Sequence, residues 1–283
     1  MLAGPAAFVM AAVTAYPIGY AVYLSLQRAD LRFPQDNAWV GLDNYITVLG
    51  SHIWWRDVGH TVIITVGSVG LELVLGMLLA LVMYRTLFGR GLVRTAALVP
   101  YGIVTVVAAF AWRFAWSPAQ GGFVPKVFGW TFDPTATTEP FWNYVVTILT
   151  EVWKTTPFMA LLLLAGLTLV PEELHDAAKV DGASAWQRFW RITIPLMKPA
   201  LLVALLFRTL DAFRIFDSVY IISAGNNPNL ETVSVLSFNE LLTTLNLGVG
   251  SAISVLIFLC VVVIAFLFVK GFGTSFAQQR GEL

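Results

Sequence analysis

An all-α integral membrane protein with six spans is the fold class this sequence predicts, and three observations carry the prediction. Asp, Glu, Lys and Arg make up only 12% of the 283 residues, against roughly 25% in an ordinary soluble domain. That is too few to coat a globule of this size. The mean hydropathy is +0.76. Six apolar runs are each long enough to cross about 30 Å of hydrocarbon as a helix, which takes roughly 20 residues. A barrel would show short alternating strands instead. The same composition excludes disorder, collagen, coiled coil and a secreted disulfide scaffold. The single cysteine, Cys260, lies in an apolar run and offers neither a disulfide framework nor a thiolate metal site. A formal net charge of zero leaves no basic field for nucleic acid.

The spans fall at about 2–26, 61–83, 96–116, 144–169, 199–222 and 249–270, so that 1–283 reads as a single transmembrane domain. The first has no basic segment before it and carries Pro17 and Gly19 near its middle, which reads as a retained span rather than a cleaved leader. The connection 27–60 is polar and holds Trp39, Trp54 and Trp55, residues suited to an interfacial belt. The second span contains one charge, Glu72. The connection after it, 84–95, carries Arg85, Arg90 and Arg94 and no acid. Arg113 lies near the end of the third span between Trp112 and Trp116, placed to snorkel toward the interface. After the fifth span, 223–248 opens on a turn at Gly225, Asn226, Asn227 and Pro228 and continues as a weakly amphipathic stretch. The two outer connections, 27–60 and 223–248, read equally as surfaces for an external partner or as solvated loops.

Basic residues set the orientation. Nine lie on one side (Arg85, Arg90, Arg94, Lys179, Arg188, Arg191, Lys198, Lys270, Arg280) and four on the other (Arg28, Arg32, Arg56, Lys126). Positive-inside counting therefore puts both termini in the cytoplasm.

The connection 171–195 is the most informative segment. Pro171 suits the first position of a helix, with Glu172 and Glu173 at its positive end. The helix is expected to reach Asp181 and stop at Gly182, which tolerates a left-handed conformation. A second short helix follows from Ala183 to about Arg191, with Trp186, Phe189 and Trp190, and Pro195 is expected to end it.

Asp176-Ala177-Ala178, three residues, Gly182, nine residues and then Ile192-Thr193-Ile194-Pro195 resembles the EAA signature of bacterial ABC-importer permeases, EAA-x3-G-x9-I-x-L-P. Asp replaces the first Glu, and Ile replaces the Leu. The resemblance implies a type I ABC-importer permease fold whose cytoplasmic coupling helix docks on an ATPase. Glu172, Glu173, Asp176, Ala177, Ala178, Asp181 and Gly182 would be its coupling residues. Small Ala177 and Ala178 allow close approach, Gly182 turns the chain back, and an acid at 176 can meet a basic partner.

Eight charges lie within or at the ends of spans: Glu72, Arg113, Glu151, Lys154, Arg208, Asp211, Arg214 and Asp217. Each costs about 2.5–3.5 kcal/mol at mid-depth on translocon scales, so each needs a partner or water. Arg208 and Asp211 read either as an internal ion pair or as part of a polar path, and isolated Glu72 as either. In the fourth span Glu151, Lys154, Thr155 and Phe158 share one helical face around Pro157, where irregular backbone suits a cavity. In the fifth, Arg214 and Asp217 share a face with Phe213, Phe216 and Tyr220 nearby. Charged hydrogen-bonding groups mixed with rings suit a carbohydrate better than a bare ion.

These two stretches also resemble the lining segments of carbohydrate importers of the maltose-permease type. That places Glu151, Lys154, Thr155 and Phe158 in one lining and Phe213, Arg214 and Asp217 in the other. Residues 94–107, 151–159 and 206–217 resemble the trehalose-importing members of the family, and imply a disaccharide, trehalose, as cargo. The partners so implied are a second homologous permease subunit, two ATPase subunits that bind ATP and Mg, and an external substrate-binding lipoprotein. The setting is a bacterial inner membrane with its lipid. No Gly-rich phosphate loop is present, so this chain is expected to hold no ATP, metal or other cofactor and to catalyse no reaction of its own. An ion-coupled secondary transporter using the buried carboxylates is the alternative, and it has no use for a coupling loop.

Overall fold

The computed structural model describes residues 4–85, 90–129, 132, 133, 136, 138–225 and 227–280, with side chains for all of these except 4–8, 11, 90 and 271–280. Residues 2 and 3 of the first expected span, 86–89 of the basic connection and Asn226 of the outer turn lie outside them, as do the side chains of Arg90 and Arg280.

Helix α1 runs Gly4–Ser25, about 33 Å at 1.5 Å per residue and long enough to cross. A two-stranded antiparallel hairpin follows, β1 Gln27–Arg28 with β2 Ala38–Trp39, then α2, Asp43–Gly50. Helix α3, His52–Arg85, leads to α4, Arg90–Gly102, and α5, Thr105–Trp116. Short α6, Phe123–Phe128, precedes the long α7, Pro140–Leu167. Then come α8, Glu172–Val180, α9, Ala185–Arg188, and α10, Ile194–Leu196, with a π-helical turn, Phe189–Thr193, joining the last two. Helices α11, Lys198–Phe213, and α12, Asp217–Ile222, are followed by α13, Val233–Phe238, and α14, Leu247–Arg280.

Among the described residues, α3, α7 and the 247–270 part of α14 are each long and apolar enough to span a membrane. The bent pairs α4 with α5 and α9–α10 with α11 supply two more if each is counted as one span.

Two expected spans are not straight. The stretch 96–116 bends by 85° between α4 and α5. Pro100 offers no N–H to the preceding turn, Gly102 closes α4, and Val104 is extended (φ −58°, ψ 132°). The stretch 199–222 is interrupted at Arg214–Phe216, where Phe216 sits at φ −133°, ψ −64°. Pro195 does not end a helix as expected. The π turn at Phe189–Thr193 widens the backbone ahead of the proline, helix continues to Leu196, and the 69° bend falls at Met197.

Helix α7 lies at the centre and α14 at the rim. In the most apolar windows, 56% of α7 is buried against 11% of α14. Helix α3 packs along α7, and α11 crosses both. Their contact is built from Val69, Met77, Ala80, Met159, Leu163 and Ala204. Gly166 lets α7 and α11 meet, since a Cβ there would fall 2.4 Å from the Ala200 methyl. Helix α1 packs chiefly along α14.

The stretch 223–248 is not a solvated loop. Leu230 and Val233 are fully buried: Leu230 lies in a cluster with Ile64, Trp116 and Val146, and Val233 in one with Trp54 and Ile253 near the starts of α3 and α14. Trp54 is buried with Val233, so it is not available to an interfacial belt, while Trp39 and Trp55 are exposed.

Candidate functional site

Two regions carry the expected chemistry, one at the end of the bundle and one inside it. At the end, α8 stands clear of the bundle with no buried residue. Pro171 is its N-cap rather than its first helical residue, with Glu172 and Glu173 in the first turn. Its other end is a Schellman motif. The Ala183 N–H donates to Ala178 O at 2.8 Å and the Gly182 N–H to Lys179 O at 3.0 Å, with Gly182 at φ 78°.

A capping box at Ser184 and Gln187 starts the returning helix α9. The S-x-x-Q spacing of Ser184 and Gln187 is its signal in the sequence. Asp176 accepts from the Lys179 ammonium at 2.7 Å, and this hydrogen bond holds its carboxyl below the usual carboxylate range. Ala177 and Asp181 are exposed and Ala178 half-buried. A cavity of about 290 Å³ separates α8 and α9 from the ends of α3 and α7, lined by Tyr84, Arg85, Leu167, His175, Arg188 and Thr193 among others. The returning half of the hairpin packs on the bundle through Phe189 and Ile192, while Glu173, Asp176, Ala177 and Asp181 of its first half are exposed.

Inside the bundle the charges sit at one level. Glu72 precedes the end of α3 by 13 residues, Lys154 the end of α7 by 13, and Asp211 follows the start of α11 by 13. Each therefore lies about 20 Å along its helix from the α8 end. Arg208, 1% exposed, donates from Nε to Glu72 Oε2 at 2.6 Å and from Nη2 to Glu72 Oε1 at 2.9 Å. Nη2 also reaches Thr155 Oγ1 at 3.1 Å, and Thr155 donates to Glu72 at 2.7 Å. Nη1 donates to Asp211, whose side chain is 74% exposed. Arg208 therefore bridges a wholly buried carboxylate and an open one.

Glu72 is not isolated, as its own span implied. Its partner lies 136 residues away, a distance no local pattern reports. Thr155, expected on a lining face, is 4% exposed and turned into this network. Glu151 is also buried and accepts from Ser218.

The exposed wall is made by other groups. Half-buried Lys154 holds its ammonium 5.9 Å from the Tyr101 ring centroid. Phe158 stacks on the same ring at 5.3 Å with planes 11° apart. Tyr101, set at the elbow between α4 and α5, was missed by the sequence reading. Its Pro-Tyr-Gly setting was the available signal.

Phe213 is 5% exposed and packs with Trp54, Val233 and Ile253, so it faces the core and not this wall. Arg214 and Asp217 do not share a helical face, because the helix breaks between them. Arg214 is exposed at the break, and Asp217 is half-buried in the first turn of α12. Arg113 does not snorkel; it donates from Nη1 to Ile221 O at 2.9 Å and ties α5 to the end of α12. A charged side chain facing lipid at this depth costs about 2.5–3.5 kcal/mol on the mildest scales. The face that presents Lys154, Asp211 and Arg214 is accordingly one that meets water or protein.

The family model of the binding-protein-dependent transport system inner membrane component matches residues 72–276. The chain is 56% identical over 275 residues to the trehalose transport system permease protein SugA of Mycobacterium tuberculosis, covering 97% of this chain and 88% of that protein. It is 37% identical over 261 residues to the trehalose/maltose transport system permease protein MalF of Thermococcus litoralis, covering 90% and 86%. In fold it is similar to a chain of a bacterial ABC transporter involved in import of the acidic polysaccharide alginate. The TM-score there is 0.77 at 22% identity, over 93% of this chain and 90% of that one.

Proposed function

The chain belongs to the family of binding-protein-dependent transport system inner membrane components, and from that premise we propose that it forms half of the channel through which an ATP-driven importer moves trehalose inward. It is a channel-forming permease subunit of a sugar importer. A second permease subunit of the same fold completes the path, and two ATPase subunits bind ATP and Mg. An external substrate-binding lipoprotein delivers the sugar.

The α8 end and both termini lie in the cytoplasm, where α8 docks on an ATPase through Glu172, Glu173, Asp176, Ala177, Ala178, Asp181 and Gly182. Closure of the ATPases drags α8, and the α8–α11 unit swings about the bend at Met197 to open the cavity outward. Lys154, Phe158, Arg214 and Asp217 line the path. Glu151, Thr155 and Phe213 support it from behind.

The observation that carries this reading is the 56% identity across nearly the whole chain to a trehalose permease. The α8 hairpin supports it, since α8 has no buried residue and ends on a left-handed stop at Gly182. Of the buried carboxylates the ion-coupled alternative would use, Glu72 is bound on both oxygens by Arg208.

The test is ATP hydrolysis by the chain alone and by the complete importer. Hydrolysis stimulated by sugar-loaded binding protein is expected only in the complex, and it is lost on Gly182→Pro. Uptake that an uncoupler abolishes at constant ATP would refute the assignment.

A further inference from the structure

The cavity between α8, α9 and the ends of α3 and α7 lies at the depth of lipid headgroups. Helix α7 has 28 residues, which is about 42 Å at 1.5 Å per residue. A bilayer with its headgroups is about 40–45 Å thick. As a spanning helix α7 therefore ends at the level of the lipid phosphates, and Leu167, its last residue, lines the cavity.

The wall carries unanswered positive charge. Arg85, Lys179 and Arg188 line it together with Glu172, Asp176 and His175. Both acids have donors inside the wall: Lys179 donates to Asp176 at 2.7 Å, and the Tyr84 hydroxyl donates to Glu172 at 3.4 Å. Arg188 gives one nitrogen, Nη1, to Ala183 O at 2.7 Å. Among the described residues its other nitrogens have no hydrogen-bond partner, and Arg85 has neither a hydrogen bond nor an ion pair. Two guanidinium groups thus keep free donors, in the planar fork that matches phosphate oxygens.

An apolar surface adjoins these donors. The segment 185–196 is turned 69° from α11, so it lies nearer the membrane plane than the membrane normal when α11 crosses. Phe189 packs on the bundle, whereas Trp186 and Trp190 stay exposed and meet edge to face at 5.5 Å. Exposed tryptophan at this depth suits the headgroup region of a bilayer. A free anion in the cavity would leave both rings uncovered.

We propose that this cavity binds the phosphate of an anionic phospholipid from the leaflet on the α8 side. Arg85 and Arg188 hold the phosphate, and Trp186 and Trp190 lie against the glycerol and the upper acyl chains. Basic pockets between spanning helices at a membrane surface bind anionic headgroups on this principle. Neither arginine is among the residues through which α8 docks on an ATPase, so the lipid site can be altered separately from docking.

The test uses the complete importer in nanodiscs, carrying Cys260→Ser and a bimane fluorophore on Ala185→Cys in the cavity wall. Phosphatidylglycerol or phosphatidylcholine, nitroxide-labelled at the top of the acyl chain, replaces a rising share of the lipid. Each cation near an anionic surface contributes about fivefold in affinity, so phosphatidylglycerol is expected to quench at about a tenfold lower share or less than phosphatidylcholine. Arg85→Gln with Arg188→Gln brings the two lipids to within about twofold of each other. Arg85→Lys with Arg188→Lys keeps both charges and most of the preference. Bimane on Val263→Cys, exposed on α14, is quenched alike by both lipids.

Equal quenching of the Ala185 probe by the two lipids overturns the proposal, as does a preference that survives both Gln substitutions. Loss of the preference in millimolar inorganic phosphate gives the cavity to a free anion and overturns it too. No quenching at Ala185 while Val263 is quenched gives this face to a partner subunit, with the same result. No quenching at Val263 either would refute the membrane-spanning reading on which the site depends.

Discussion

Replacing Glu72 by Met would leave Arg208 in the bundle without its principal counter-ion. Two charge-assisted bonds, at 2.6 and 2.9 Å, disappear, and so does the Thr155 bond at 2.7 Å. Hydrogen bonds to charged groups contribute about 1.5–3 kcal/mol each. Removing one partner of a buried pair costs about 3–5 kcal/mol overall, because the remaining charge is stranded. Asp211 holds only one nitrogen of the guanidinium and lies in the open, so it cannot take over the role.

Glu72→Met and Arg208→Met should therefore each destabilise the chain by about 3–5 kcal/mol. The double variant removes both charges together and should return to within about 1 kcal/mol of wild type. The coupling energy of the cycle is then about 5 kcal/mol or more. Equilibrium unfolding of the purified chain in mixed micelles, followed by tryptophan fluorescence, measures all four forms. Single variants within about 0.5 kcal/mol of wild type, or a double variant equal to the sum of the singles, would refute the reasoning.

Two further outcomes follow from the geometry. Gly166→Leu places a side chain where the Ala200 methyl already stands, since even a Cβ would be 2.4 Å away. Overpacking of that kind costs about 1–3 kcal/mol, and crosslinking between cysteines placed on α7 and α11 should report wider spacing. Tyr101→Ala removes the ring shared by Phe158 and Lys154. Sugar uptake should fall several-fold with assembly intact, while Tyr101→Phe, which keeps the ring face, should stay near wild type.

The parts legible in the sequence were those written locally. The α8 hairpin could be read because Pro171, Gly182 and the residues between them act within one or two helical turns, and the Schellman stop at Gly182 formed as its sequence implied. The apolar runs could be read because lipid demands length and apolarity of each segment separately. The charge network could not. Glu72 and Arg208 are brought together by the packing of α3 on α11, and a lone acid in a span looks the same whether or not a distant arginine answers it. The break at 214–216 was invisible for a related reason, having no glycine or proline to mark it. The bend at 103–104 did have Pro100 and Gly102 beside it, and was legible in principle. Thr155 and Phe213 were placed by helical spacing alone, which names a face but not which neighbour covers it.

The pairing of α1 with α14 sets an order of events during biogenesis. The first helix leaves the ribosome early, yet the surface it rests on begins at Leu247, about 220 residues later. At synthesis rates of roughly 5–20 residues per second, α1 waits roughly 10–45 s before its main neighbour exists. It can wait because it carries no charged residue from Gly4 to Ser25, so lipid is an acceptable temporary surround. Arrival of α14, against which α1 packs, is the step that ends this wait.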